Sequence, residues 1–164
     1  VAGIVAEQQN AGSVKNCTNR GEIRNNTASY GTAGIVGWIR YNGATKDYPV
    51  KNVIEVTGNT NYGKVSGGND AGGIVGTVYN LGKVNDNKNF APSLQAATFA
   101  AGIVGNAQFT ETAVGLDLQN SVEVKNNVST TTLDQMTVNG TCKDLYVYIN
   151  NQEYVTAENN RNAE

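Results

Sequence analysis

Four times the chain spells nearly the same word. AGIVA occupies residues 2–6, AGIVG recurs at 33–37 and at 101–105, and AGGIVG stands at 71–76. From one Ile-Val pair to the next the steps are about 31, 39 and 29 residues. Recurrence at that period marks stacked repeats, in which no unit buries enough apolar surface to fold alone. A second element keeps the same period. Asn-x-Gly-x-Val/Ile appears as NAGSV (10–14), NRGEI (19–23), NYGKV (61–65) and NLGKV (80–84), with NSVEV (120–124) as a degenerate copy. A third, VKNC (14–17), VKNV (50–53) and VKNN (124–127), follows the β-branched residue.

Helical repeats of this length need apolar residues at i, i+3, i+4 and i+7, and no window supplies them without an intervening Gly, Asn or Thr. The 19 glycines and the many asparagines are poor helix formers. Bursts such as GSVKNC, GEIRNN and GKVSGG are short, β-branched and bounded by turn residues, which predicts short strands. The chain therefore reads as an all-β parallel β-solenoid (β-helix) of about four coils over residues 1–130, with about three strands per coil. Each strand would pair with its equivalent one coil away. Ile4, Ile35, Ile74 and Ile103 are expected to stack inward as one column. Val5, Val36, Val75 and Val104 form a second column that either turns inward at a corner or makes an external apolar stripe. The recurrent asparagines are assigned to turns, where they tolerate left-handed backbone and form stacked ladders.

The Gly-Ile-Val-Gly core, the Asn-x-Gly-x-Val spacers and the phrase VKNCTNRG resemble the GLUG-motif repeats of bacterial cell-surface, adhesin-like proteins. The usual motif has Leu where this chain has Ile4, Ile35, Ile74 and Ile103, a volume-conserving change. The resemblance covers roughly residues 1–130. It implies an extracellular, bacterial cell-surface module, structural or adhesive rather than catalytic, whose partner is a host or matrix glycan or protein. It carries no catalytic residues onto this sequence.

The repeat breaks in three places. The second unit is longer, and its excess falls in WIRYNGATKDYP (38–49). The equivalents of Trp38 are Glu7, Thr77 and Asn106, so Trp38 is read as the start of an exposed loop. With Arg40, Tyr41 and Tyr48 it forms the candidate ligand-binding set, since aromatic rings on a loop suit a sugar or a protein partner. The competing reading folds these aromatics back over the flank. The second break is FAPSLQAATF (90–99), where Pro92 cannot donate to a central ladder and SLQAATF reads as one helical turn or a lateral loop. After about residue 130 the repeat stops. The alternating run DLYVYI, with Asn139-Gly140 and Asn150-Asn151 as turns, predicts a C-terminal capping β-hairpin and tail over 131–164.

Chemistry is constrained by what the residue types can do. The chain has no histidine, so a Ser-His-Asp triad and a zinc-protease helix are both excluded. Cys17 and Cys142 are read as separate thiols, with a disulfide between them as the alternative. GGNDAGG (67–73) and NDNKN (85–89) match neither an EF-hand nor a calcium nonapeptide, and no metal or other cofactor is expected. Glu22, Glu55, Asp70, Asp86, Asp117 and Glu123 form no recurring pair. A fragment of a carbohydrate-active β-helix enzyme, of lyase or glycosidase type, is nevertheless the alternative function, because carboxylates alone can run that chemistry. A formal charge of −2 without a basic run argues against nucleic acid as a partner. No apolar stretch is long enough to insert in a membrane. Because the chain opens inside a copy of the word, further repeats or domains upstream are expected.

Overall fold

The computed structural model describes residues 1–41, 54–109, 121–148 and 154–163. It is a stack of parallel coils, as the period requires. The first coil runs β1 (Val5–Gln9), β2 (Gly12–Lys15), β3 (Thr18–Asn19), β4 (Ile23–Asn25) and β5 (Thr32–Ala33). The second repeats it as β6 (Val36–Arg40), β7 (Ile54–Thr57), β8 (Thr60–Asn61), β9 (Val65–Gly67) and β10 (Asp70–Gly72). The third is β11 (Val75–Tyr79), β12 (Gly82–Asn85), β13 (Lys88–Asn89), β14 (Leu94–Ala96) and β15 (Phe99–Ala101). The fourth is β16 (Val104–Gln108), β17 (Val122–Lys125), β18 (Val128–Ser129), β19 (Met136–Val138) and β20 (Thr141–Lys143). Three strands of a fifth follow: β21 (Tyr146–Tyr148), β22 (Val155–Glu158) and β23 (Arg161–Asn162).

Among the described residues each of the first four coils thus has five short strands rather than the expected three, and equivalent strands align into five parallel faces. The first face is β1-β6-β11-β16-β21, the second β2-β7-β12-β17-β22, and the third β3-β8-β13-β18-β23. The fourth is β4-β9-β14-β19 and the fifth β5-β10-β15-β20. Corners make the strands short. Between the second and third faces the chain turns through left-handed backbone in every coil, at Asn16, Gly58, Asp86, Asn126 and Asn159, with φ of 54°, 70°, 57°, 56° and 53°. Asn, Asp and Gly are the residues that adopt this conformation at least cost.

Two readings of the sequence are corrected here. The described residues of 131–164 do not form a capping hairpin: β19, β20, β21, β22 and β23 all pair in parallel with the fourth or third coil, and the turn expected at Asn150-Asn151 lies outside the described residues. Nor is SLQAATF a helical turn or a lateral loop. It supplies β14 and the first residue of β15, with Leu94 in the core, while Pro92 lies exposed just before β14.

The described residues form two apolar cores. The larger gathers Ile35, Val36, Ile39, Ile74, Val75, Val78, Ile103 and Val104 from the first face and its corner, against Val56, Val84 and Val124 of the second. The smaller holds Val65, Leu94, Met136, Ala71 and Ala100 between the fourth and fifth. Ile35, Ile74 and Ile103 are fully buried, and so are Val36, Val75 and Val104, so the valine column turns inward and no outer stripe exists there. Ile4, at the open end of its column, is 43% exposed.

A column of amides crosses the interior at the third face. The Asn19 side chain donates to Asn61 Oδ1 at 2.9 Å and Asn61 to Asn89 Oδ1 at 3.0 Å, while Asn89 donates to Thr131 Oγ1 at 2.9 Å. The word explains why they fit. A Cβ at Gly34 or Gly73 would fall on the amide of Asn61 or Asn89, and one at Gly102 on Ser129. The glycine directly before the Ile of each copy therefore leaves room for the ladder. The closing glycines Gly37, Gly76 and Gly105 lie against the backbone around Gly31, Thr32 and Ala71 of the fifth face. Beside this column runs a second ladder, Asn59-Asn87-Asn127-Asn160, in which each Oδ1 accepts the backbone N–H of the preceding coil. Cys17 holds the equivalent place in the first coil, its N–H donating to Asn59 Oδ1. Buried amides are tolerable because every rung is hydrogen-bonded.

Candidate functional site

Strand β6 carries the site. Ile39 points into the core, while Trp38 and Arg40 on either side of it are half-exposed on the outer flank. Trp38 is therefore a strand residue, not the start of a loop, and it aligns with Glu7 and Thr77 in neighbouring coils. The Arg40 guanidinium lies over the indole, 4.9 Å from the ring centroid, a cation–π geometry. On the indole also rests Tyr30, with centroids 5.9 Å apart and planes tilted by 31°. Tyr30 comes from the corner 26–31, which uses six residues where the next coil uses three, 68–70. That extra length carries the ring to the flank.

Below Arg40 in the same column stand Tyr79 and Gln108. Together Tyr30, Trp38, Arg40, Tyr79 and Gln108 line an open cleft of about 350 Å³. Tyr30 is 55% exposed at its rim. Arg40 also faces Glu7, Nη1 to Oε1 3.9 Å, so the cation in the cleft is charge-compensated. Of the four residues singled out in the sequence, the structure brings together Trp38 and Arg40. Tyr41 is corrected: it is 1% exposed, packed inside the corner after β6, with its carbonyl accepting from Asn80 Nδ2. Tyr48 lies outside the described residues, as does the rest of the loop from residue 42 onward. Tyr30, Tyr79 and Gln108 were missed. Two of them were within reach, since Arg40, Tyr79 and Gln108 each stand four residues after the repeated valine.

Most of the candidate carboxylates among the described residues serve the scaffold, and Asp117 lies outside the described residues. Glu55 pairs with Lys15, and Glu123 and Glu158 with Lys125. Glu22 pairs with Arg24, whose hydrogen bond holds the carboxyl below its usual range. Asp70 is different, at 2% exposure on the fifth face. Its Oδ2 accepts from Thr77 Oγ1 at 2.8 Å and Asn106 Nδ2 at 3.0 Å. Burial pushes its carboxyl up, against the opposite pull of those two bonds. The sequence GGNDAGG is thus a corner with left-handed Gly67 and Gly68 that delivers a buried acid, and NDNKN contributes the corner Asp86 and the rungs Asn87 and Asn89. Cys17 and Cys142 are free thiols, packed at the edges of the two different cores.

Fold and cleft together define a class: a parallel β-solenoid with an aromatic-lined cleft on one flank. Comparison with known families, curated proteins and solved structures finds no match for the chain.

Proposed function

We propose that the chain is a non-catalytic recognition module of a bacterial cell-surface protein of the GLUG-repeat kind, engaging a host or matrix glycan or protein. The stacked coils are the scaffold, and the cleft of Tyr30, Trp38, Arg40 and Tyr79 is the contact point. The observation that carries this reading is the cleft itself: three aromatic side chains, a guanidinium and an amide gathered from four coils onto an outer surface. Rings of this kind at a surface supply large contact area at little entropic cost and dominate recognition hot spots. The engagement of Glu22, Glu55 and Glu123 in ion pairs, and the burial of Asp70, favour this reading over a carbohydrate-active enzyme. A glycan array and a panel of purified matrix proteins, probed with the wild type and Trp38→Ala, test it. Binding that falls at least about tenfold in the variant supports the proposal. Binding that the variant leaves unchanged, or none at all, refutes it.

A further inference from the structure

The composition of the cleft is selective. Its five lining side chains are two phenols, an indole, a guanidinium and a carboxamide, with no aliphatic side chain among them. An anchor pocket for a peptide side chain is closed and fully desolvated. This one is open, and its exposed ring, Tyr30, stands at the rim as a platform rather than a wall. Flat aromatic faces beside hydroxyl and amide groups match a ligand with an apolar C–H face and a ring of hydroxyls. The Gln108 carboxamide offers both a donor and an acceptor, as do the phenols of Tyr30 and Tyr79. A volume of about 350 Å³ lies at the small end of ligand sites, the size of one or two sugar rings. Charge narrows the class further. Arg40 is the cation in the cleft, but it stacks on Trp38 and faces Glu7, so no unbalanced positive field selects an anion.

We infer that the cleft binds a neutral carbohydrate, stacking a pyranose ring on Tyr30 and Tyr79 over the Trp38 floor while Gln108 takes its hydroxyls. This rests on the recognition reading above and names the ligand class of that site. Trp38 is the single tryptophan of the chain, so its fluorescence reports the cleft alone.

The experiment titrates the full chain with cellobiose, maltose, lactose and N-acetylglucosamine, following Trp38 emission and checking each response by calorimetry. Parallel titrations use glucuronate and sialyllactose, and an immobilised library of defined peptides probes the same surface. The expected result is saturable binding of at least one neutral sugar with Kd of about 1 mM or tighter. Tyr30→Ala and Gln108→Ala should each weaken it by about tenfold while circular dichroism and Tm stay at wild-type values. Should Gln108→Ala fold poorly, Tyr79→Phe removes one hydroxyl without a cavity and should weaken binding in the same direction. No saturable response to any neutral sugar, or equal binding by the variants, overturns the inference, and so does a response confined to the acidic sugars. Peptide binding that Tyr30→Ala abolishes, with sugars inert, would leave the recognition reading standing and remove the carbohydrate. No Tyr30-dependent binding of any probe would remove both.

Discussion

The glycines and asparagines of this chain answer one another residue by residue. Gly73 is flat against the Asn89 amide, so Gly73→Ala must displace a buried rung and the carbonyl of Gly102 together. Overpacking of this kind costs about 1–3 kcal/mol, read as a lower urea midpoint. Gly21→Ala is the control, because a Cβ there meets Asn19 Oδ1 at an ordinary 3.6 Å, and its effect should stay within about 0.5 kcal/mol. Asn87→Ala removes the acceptor for the Asn59 backbone N–H and one donor to the Val56 carbonyl, at a cost of about 1–3 kcal/mol for the buried N–H left unpaired. Asp70 gives the residue scale its pH dependence. Its folded-state affinity for a proton is raised above that of the unfolded chain. Its contribution to stability is therefore fully present below the ordinary aspartate range and is lost as pH rises through Asp70's own, higher value. Urea midpoints from about pH 3 to about pH 7 should show wild type losing stability relative to Asp70→Asn across that window. Parallel pH profiles for the two proteins would contradict this account.

At the scale of elements, corners carry as much information as strands. The left-handed column at Asn16, Gly58, Asp86, Asn126 and Asn159 fixes where the second face ends in all five coils. Its residues vary in identity but share the conformational tolerance, so the turn assignment was readable from composition. On the outside the same regularity gives Arg20 over Tyr62 at 4.5 Å and Tyr62 stacked on Phe90 at 5.2 Å, one residue from each of three coils. The fifth coil was not readable, for a physical reason. A run such as DLYVYI alternates identically whether its partner is a neighbouring antiparallel strand or a parallel strand some forty residues earlier. β21 takes the second option, with a register shift between Val104 and Ala107 that hides the repeat. Hydrogen exchange tests this element directly. Val104 donates to the Leu145 carbonyl and Asn126 to that of Glu158, both at 3.0 Å. Their amides should be protected to within about tenfold of Val75 and Asp86, which make the same bonds one coil earlier. Rapid exchange at Val104 and Asn126 alone would show that 131–164 is not a coil.

For the whole molecule, the fold was written in the period and the site was not. Four copies of one word, each requiring a neighbour, allow little besides a stack. The cleft, by contrast, joins a corner of the first coil to strands of the second, third and fourth, and no local window of sequence contains it. Trp38 and Arg40 stood out as aromatic and charged within a break in the repeat. Tyr79 and Gln108 emerge when the coils are laid in register, and Tyr30 through the added length of its corner. Tyr41 shows the opposite error, since its place in a polar stretch says nothing of the corner that buries it. Register is thus the central claim, linking the word, the ladders and the cleft. The most direct measurement is a spin-label distance along one outward column, Ser13-Glu55-Lys83-Glu123-Thr156. With Cys17→Ser and Cys142→Ala as background, labels at Ser13→Cys and Thr156→Cys sit four coil steps apart, about 19 Å along the backbone. A single narrow distribution centred at about 15–25 Å is the predicted result. A broad distribution, or one centred beyond about 30 Å, would contradict the stacked parallel register.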